Sequence, residues 1–316
     1  MSSTEKLDLR MKKKFEKLDK LEFVIEHIIV ITIIILAFSF NIMNYNRIEG
    51  LAQVKNSILN QENQDSKATY HGAWHETLDI KKGDETIEGV FYTAEGQGPM
   101  PTVILCHGFG VSSDFYDQYV EKYQKAGFNT YAFNFVNGGY KDSVEDMSIL
   151  TEADDLELVY ERLCEFEKVD SEKIFIVGES QGGLVATYVG SQLKDKIRGL
   201  ILLYPAYEIQ DDIKTRTNPD NDMDPLNFLG WKISPIYNSD GLSFDVYDIM
   251  SDYQGQTLIL QGDDDEIVPM EYAKRAADEF ENAKLVIYEG AGHGWADGEF
   301  KDQAIKDSIE FIGNNI

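Results

Sequence analysis

The sequence predicts an α/β protein, a doubly wound, mostly parallel sheet with a small inserted cap, preceded by an N-terminal transmembrane helix. Three observations predict it. From residue 102 onward, short apolar runs alternate with helical patterns, the arrangement of a parallel sheet covered by helices on both faces. Residues 206–254 interrupt that alternation for nearly fifty positions, too long for a structureless loop in a compact domain, and so read as an inserted cap. Near the N-terminus, Phe23 to Met43 is almost unbroken in apolar character. About 20 helical residues are what a bilayer core of about 30 Å requires.

Composition narrows the classes further. The chain has 316 residues, 43% hydrophobic and 12% aromatic, enough for one large domain with its own core once the N-terminal appendage is set aside. A formal net charge of -27 and a pI near 4.4 exclude nucleic acid as a partner, because phosphates demand a basic face. The two cysteines, Cys106 and Cys164, supply neither a disulfide framework nor a metal cluster and read as small buried hydrophobes. Neither a metal nor an organic cofactor is implied.

Residues 1–22 carry seven Lys or Arg against five acids, a basic segment in a strongly acidic protein. Positive flanks stay on the cytoplasmic side, so a span over 23–43 would place all that follows outside the cytoplasm. Two alternatives compete with an uncleaved signal anchor. Ala37-Phe38-Ser39 resembles a signal-peptide cleavage site, although the basic region before it is unusually long. A buried helix of a globular core is the other, set against the absence of any polar face. Residues 44–70 read as a linker or stalk. His71 and His75, four apart, lack a third ligand nearby and do not make a metal site.

The globular part, 71–316, opens with a β-hairpin: WHETLDIK, a turn at Lys82-Gly83-Asp84, then ETIEGVFYTA. Thr102 to Cys106 is a short apolar strand running into His107-Gly108-Phe109-Gly110, with a helix from about Asp114 to Ala126. Further strands read at 130–135, 174–177, 197–204, 257–261 and 285–288, and helices at 151–167, 181–193, 270–281 and 300–312. The cap at 206–254 holds the aromatics Tyr207, Phe228, Trp231, Tyr237, Phe244 and Tyr247. Of these, Trp231 and Tyr237 are the candidates to line a substrate pocket, while packing the cap onto the domain is the plainer role for any one of them. Its acids Glu208, Asp211, Asp212, Asp220, Asp222 and Asp224 would disfavour anionic substrates or simply form a solvated face.

One stretch carries chemistry. Ile174-Phe175-Ile176-Val177 runs into Gly178-Glu179-Ser180-Gln181-Gly182 and then a helical pattern, a strand, sharp turn and helix around GxSxG. The flanking glycines remove side chains that would collide in such a turn, so Ser180 is the candidate nucleophile. A serine hydroxyl barely ionises near neutral pH and needs a base in hydrogen-bond reach, with a carboxylate to hold that base. Of five histidines, four lie in the apolar run, ahead of the domain, or in the 107–110 turn, which leaves His293 in the loop Gly290-Ala291-Gly292-His293-Gly294-Trp295. Asp263, Asp264, Asp265 and Glu266 all follow a strand, and spacing does not choose among them. Backbone N–H groups of Phe109 and Gln181 are the candidates for an oxyanion hole, with His107 bracing its loop.

With these residues in view, the chain from about residue 75 resembles the α/β-hydrolase superfamily, and within it the cinnamoyl (feruloyl) esterase-like serine hydrolases. The matching pieces are HGFG at 107–110, TEADDLELVYERL at 151–163, VDSEKIFIVGESQGG at 169–183, GLILLYPA at 199–206, LQGDDDEIVP and GAGHGW. The order nucleophile, acid, histidine is that family's order, and its pattern G-x-x-D-x-x-V-P would place the acid on Asp265. The resemblance implies a serine esterase acting on a small-molecule carboxylic ester through Ser180, Asp265 and His293. Alternatives within the fold are a lysophospholipase or monoacylglycerol lipase and a serine peptidase; outside enzymes, an inactive binding protein. Two departures stand out: Glu179 where many relatives carry His, and a first seventy residues without counterpart in the soluble esterases.

Overall fold

The computed structural model describes residues 74–138, 144–295 and 298–316. The basic segment, the predicted span at 23–43, the stalk and His71 lie outside these residues. Among the described residues no helix is long and apolar enough to cross a membrane.

The expected hairpin opens the domain as two pairings. β1 (His75–Thr77) pairs antiparallel with β4 (Gly89–Tyr92), while β2 (Ile80–Lys82) and β3 (Glu85–Ile87) pair across the Gly83 turn in a sheet of their own. The main sheet has eight strands. In spatial order these are β1, β4, β6 (Asn129–Phe133), β5 (Met100–Cys106), β7 (Val169–Glu179), β8 (Gly199–Leu203), β11 (Gln256–Gly262) and β12 (Ala283–Tyr288). β9 (Asn227–Phe228) and β10 (Trp231–Lys232) form a separate short hairpin. From β6 to β12 every pairing is parallel, while β4 pairs antiparallel with both β1 and β6, so that β4 alone runs against the rest.

The helices are α1 (Asp117–Lys125), α2 (Ile149–Cys164), α3 (Ser180–Leu193), α4 (Ile209–Arg216), α5 (Pro235–Gly241), α6 (Val246–Met250), α7 (Met270–Glu279) and α8 (Gly298–Asn315). β8 is buried at every position, and β7 from Ile174 onward, because helices cover both sheet faces. β12, the edge strand, is only partly buried. On one face Val103, Leu105, Val177, Ile201, Leu203 and Leu260 form a single cluster with Tyr116, Tyr119 and Tyr123 and with Ile305 and Ile312 of α8. Each such side chain taken from water contributes about 1.5–3 kcal/mol.

Element ends differ from the sequence expectation where side chains or bulges intervene. α2 starts two residues early because Ser148 and Thr151 cap it reciprocally. The strand expected at 130–135 stops at Phe133: Asn134 N–H turns to Glu88 O at 2.9 Å, and Phe135 N–H is taken by His107. β7 runs back to Val169 because Met100 pairs with it across a bulge at Pro101, which has no N–H to give. β8 ends at Leu203, since Tyr204 turns left-handed at φ 36°.

Between β8 and β11 the chain forms α4, the β9–β10 hairpin, α5 and α6. The hairpin closes through Leu229 and Gly230, both at positive φ, as a two-residue primed turn requires. Gln210 draws the helices together, its amide donating to Gly241 O at 2.8 Å and accepting from Val246 N–H at 3.1 Å. Ser148 Oγ donates to Asp240 Oδ2 at 2.5 Å, tying α5 to the start of α2. Glu208 is buried, so it does not belong to the solvated acidic face.

Candidate active site

Ser180, Asp265 and His293 meet beyond the C-terminal ends of β7, β11 and β12, where doubly wound sheets place their sites. β7 ends at Glu179 and α3 begins at Ser180 with no residue between them. That abrupt change puts Ser180 at φ 47°, a left-handed conformation costly for a residue with a side chain. The turn is possible only with glycines beside it. A Cβ on Gly178 would lie 2.4 Å from Gly182 O, and one on Gly182 would lie 2.4 Å from Cys106 O.

Ser180 Oγ lies 3.1 Å from His293 Nε2, and His293 Nδ1 lies 2.8 Å from Asp265 Oδ2. An ionised carboxylate can only accept, so the Nδ1 position carries the proton and Nε2 is left to accept from the serine hydroxyl. The Asp265 side chain has no exposure to solvent. Its Oδ1 accepts from the N–H groups of Ile267 at 2.9 Å and Val268 at 2.8 Å, and its Oδ2 also accepts from Gln261 Nε2 at 3.0 Å. Geometry thus separates the four acids that spacing left equivalent. Asp264 and Glu266 are exposed, and Asp263, also exposed, accepts from Gly290 N–H at 2.6 Å, anchoring the histidine loop. Trp295 closes that loop by donating from Nε1 to Gly292 O at 2.8 Å.

His107 braces the loop after β5. Its Nδ1–H donates to Gly108 O at 2.8 Å, while Nε2 accepts from Phe135 N–H at 3.1 Å, a pattern only the neutral ring can make. Burial lowers its pKa to about 4, so the brace is uncharged near neutrality. Gly108 N–H donates to Glu179 Oε1 at 3.0 Å and Gly110 N–H to Gly138 O at 3.4 Å, with Phe109 between them. Gln181 lies in the first turn of α3, where backbone N–H groups have no partner within the helix.

The Gln181 side chain is buried and held at both ends. Its Nε2 donates to Glu152 Oε2 at 2.8 Å and its Oε1 accepts from the Tyr237 hydroxyl at 2.7 Å. Burial raises the Glu152 pKa to about 8, against the pull of the Gln181 hydrogen bond, which favours the charged form. The aromatics of the cap gather on Phe109, whose ring lies edge-on to Phe228 at 5.0 Å, Trp231 at 6.0 Å and Tyr237 at 6.4 Å. One expectation is corrected here. Tyr237 is 0% exposed and has no surface to offer a ligand, because its ring is enclosed by Phe109 and Phe228 and its hydroxyl is committed to Gln181. Trp231 is half-buried and keeps an accessible face.

Sequence reasoning missed Tyr204, whose ring packs edge-on against both His293 and Trp295 at 4.7 Å, and Gln261, which steadies the acid. The only signal for either was its place at a strand end. Among the described residues, no three His, Cys, Asp or Glu side chains are placed to hold a metal ion. A surface depression of about 380 Å³ lined by Gln256, Asn282, Lys284 and Glu310 opens at the opposite, N-terminal ends of β11 and β12, away from Ser180.

Two family models match, one described as "Serine aminopeptidase, S33" over residues 97–239 and one as "TAP-like protein" over residues 239–310. A bifunctional esterase/perhydrolase of Acinetobacter calcoaceticus is 26% identical over 272 residues, covering 71% of this chain and 95% of that protein. A putative esterase/lipase of Mycoplasma pneumoniae is 30% identical over 105 residues, 32% of this chain and 37% of that protein. Among solved structures, Est1E of Butyrivibrio proteoclasticus in complex with ferulic acid superposes with a TM-score of 0.67 at 23% identity, covering 75% of this chain and 98% of that one. The monoacylglycerol lipase of Paleococcus ferrophilus gives 0.57 at 22%, covering 73% and 99%. The two family models together span residues 97–310, and the chain belongs to the α/β-hydrolase superfamily of serine hydrolases.

Proposed function

We propose that the protein hydrolyses small carboxylic esters through a covalent acyl-enzyme on Ser180. The observation that carries this reading is the hydrogen-bonded chain from Ser180 Oγ through His293 to Asp265, at 3.1 and 2.8 Å. As Oγ attacks the ester carbonyl, its proton passes to His293 Nε2, and Asp265 stabilises the imidazolium and holds its tautomer. The tetrahedral oxyanion is received by the N–H groups of Phe109 and Gln181. Collapse breaks the bond to the alcohol, which leaves with the proton from His293. Water then repeats the sequence on the acyl-enzyme and frees the acid. The three side chains and two N–H groups close every proton and charge balance without a metal or cofactor. Esterase and lipase relatives support a carboxylic ester hydrolase.

Within esters, the favoured class is hydroxycinnamoyl. Its support is the likeness to Est1E, a protein that binds ferulic acid, together with the aromatic cluster of Phe109, Phe228 and Trp231 over the loop after β5. Acylglycerols are the second reading, favoured by the likeness to a monoacylglycerol lipase. The test is hydrolysis of a panel of hydroxycinnamate esters, acylglycerols, simple acetates and aminoacyl amides by parent and Ser180→Ala proteins. Full activity in Ser180→Ala sinks the nucleophile assignment. A preference for acylglycerols or aminoacyl amides over hydroxycinnamates removes the first substrate class.

The apolar run at 23–43, with its basic flank, supports a single-pass anchor that leaves the catalytic domain outside the cytoplasm. Protease added to intact cells then degrades or releases the domain. Protection until lysis reverses the topology.

A further inference from the structure

Glu179 precedes the nucleophile and is 3% exposed, yet the reaction as written makes no use of it. Both of its oxygens are engaged. Oε1 accepts from Gly108 N–H at 3.0 Å, and Oε2 accepts from the Tyr204 hydroxyl at 2.7 Å. Among the described residues no ion pair joins it to a cation. A buried carboxyl without a cation costs several kcal/mol unless its hydrogen bonds repay the lost water. Burial indeed pushes the Glu179 carboxyl up from its usual range, and the two hydrogen bonds pull it back.

Its two partners belong to different parts of the site. Gly108 is the residue before Phe109, and the Gly108 backbone approaches Ser180 so closely that an added Cβ would lie 3.2 Å from Ser180 Cβ. The direction of the next N–H therefore depends on how that peptide is held. Tyr204, at φ 36°, is held in its turn by its own N–H to Leu260 O at 2.7 Å. Its ring is the surface on which the His293 imidazole rests.

We propose that Glu179 is a positioning residue, its single carboxylate fixing together the oxyanion-binding peptide at Gly108–Phe109 and the tyrosine ring that backs His293. The inference rests on the functional reading above. Nothing in it requires Glu179 to touch substrate or to carry a proton in the reaction. Aligning both groups to one rigid anchor matters because misplacements of about 1 Å in such sites cost about 10²-fold in rate. The oxyanion contact is made only in the transition state, so its misalignment falls on kcat rather than KM.

The experiment compares full-length parent, Glu179→Ala, Glu179→Gln, Tyr204→Phe and the double Glu179→Ala/Tyr204→Phe on one chromogenic ester. Active sites are counted by fluorophosphonate labelling of Ser180. Glutamine can still accept from Gly108 N–H and donate to Tyr204 Oη, so it is the conservative replacement. Per active site, Glu179→Ala is expected to lose about 10- to 100-fold in kcat with KM within about threefold of the parent. Glu179→Gln recovers most of that loss. Tyr204→Phe gives a smaller loss, and the double variant is no worse than Glu179→Ala by more than about twofold, since both changes break one linkage.

The proposal is overturned by any of three results: kcat per active site in Glu179→Ala within twofold of the parent, a loss carried by KM alone, or Glu179→Gln as impaired as Glu179→Ala. If Glu179→Ala does not fold, Tyr204→Phe decides alone, and an unchanged kcat there overturns the linkage. A parent that neither labels nor hydrolyses esters instead refutes the functional reading, whereas a fully active parent with indifferent variants refutes only the role of Glu179.

Discussion

The Tyr237 hydroxyl donates to Gln181 Oε1 at 2.7 Å, and Gln181 Nε2 donates onward to Glu152 Oε2 at 2.8 Å, so a buried chain joins the inserted cap to the residue after Ser180. The cap is therefore part of the site's framework as well as its cover. Removing one oxygen tests this. In Tyr237→Phe the buried Gln181 Oε1 loses its partner, an unsatisfied acceptor that costs about 1–3 kcal/mol. The expected result is a lower unfolding midpoint and a kcat/KM that falls by the same factor for aryl-acyl and acetate esters. A loss confined to aryl-acyl esters would mean that Tyr237 contacts the acyl group after all.

Trp231 is the contrasting case. It closes the β9–β10 hairpin, is half-buried, and meets Phe109 edge-on at 6.0 Å. A planar acyl group lying against such a ring gains about 0.5–1.5 kcal/mol beyond area burial. Trp231→Ala is thus expected to lower kcat/KM for hydroxycinnamate esters by about 2- to 10-fold more than for acetate esters. Measuring both substrates on the same preparation cancels any shared loss from a loosened cap. Equal losses would assign Trp231 to packing alone.

Asp265→Asn separates charge from geometry. The two N–H groups of Ile267 and Val268 at 2.9 and 2.8 Å hold an acceptor at Oδ1, so an asparagine oxygen occupies that position and its amide nitrogen faces His293. Facing a donor, Nδ1 must accept, which puts the ring proton on Nε2 and leaves Ser180 without a base. Gln261 Nε2 loses its acceptor at Asp265 Oδ2 but keeps Val268 O at 3.0 Å, so the fold is expected to survive with a modest loss of stability. A fall in kcat of about 10³- to 10⁴-fold, far beyond what the small drop in Tm explains, is the outcome sought. Activity within tenfold of the parent would mean that another group holds the tautomer.

The parts of this site that were legible beforehand are those written in local patterns. Apolar runs give strands buried on both faces, and Gly178 and Gly182 mark a turn that admits no side chain at either position. Asp265 was singled out among four acids by the family pattern and not by spacing, since the N–H groups at 267 and 268 and the amide of Gln261 that hold it have no spacing signature. What stayed hidden depends on partners distant in sequence. Glu179 was visible as an odd residue in the motif, but its partners lie 71 and 25 positions away. Aromatic richness in the cap did not reveal that Tyr237 is fully enclosed while Trp231 is only half-buried, because helices and strands this short lack the periods that mark a buried face.

Glu152 offers a test through pH. It sits in the first turn of α2, 1% exposed, and burial lifts its pKa from 4.5 to about 8. A group that binds its proton more tightly when folded stabilises the native state fully at pH values below its unfolded pKa. That stability declines as pH rises, by up to about 1.4 kcal/mol per unit for one proton, and is spent once the folded pKa is passed. The window is therefore about pH 4.5 to 8. Other buried carboxyls with raised pKa values, Asp155 and Glu179, slope the same way, so the parent curve alone does not isolate Glu152. The difference curve against Glu152→Gln does, since glutamine mimics the protonated acid and can still accept from Gln181 Nε2. Urea unfolding at pH 5, 6, 7 and 8 is expected to show the variant gaining on the parent at each step and levelling above pH 8. A difference that stays flat from pH 5 to 8 would mean that Glu152 is ionised throughout and that Gln181 is held by a buried charge.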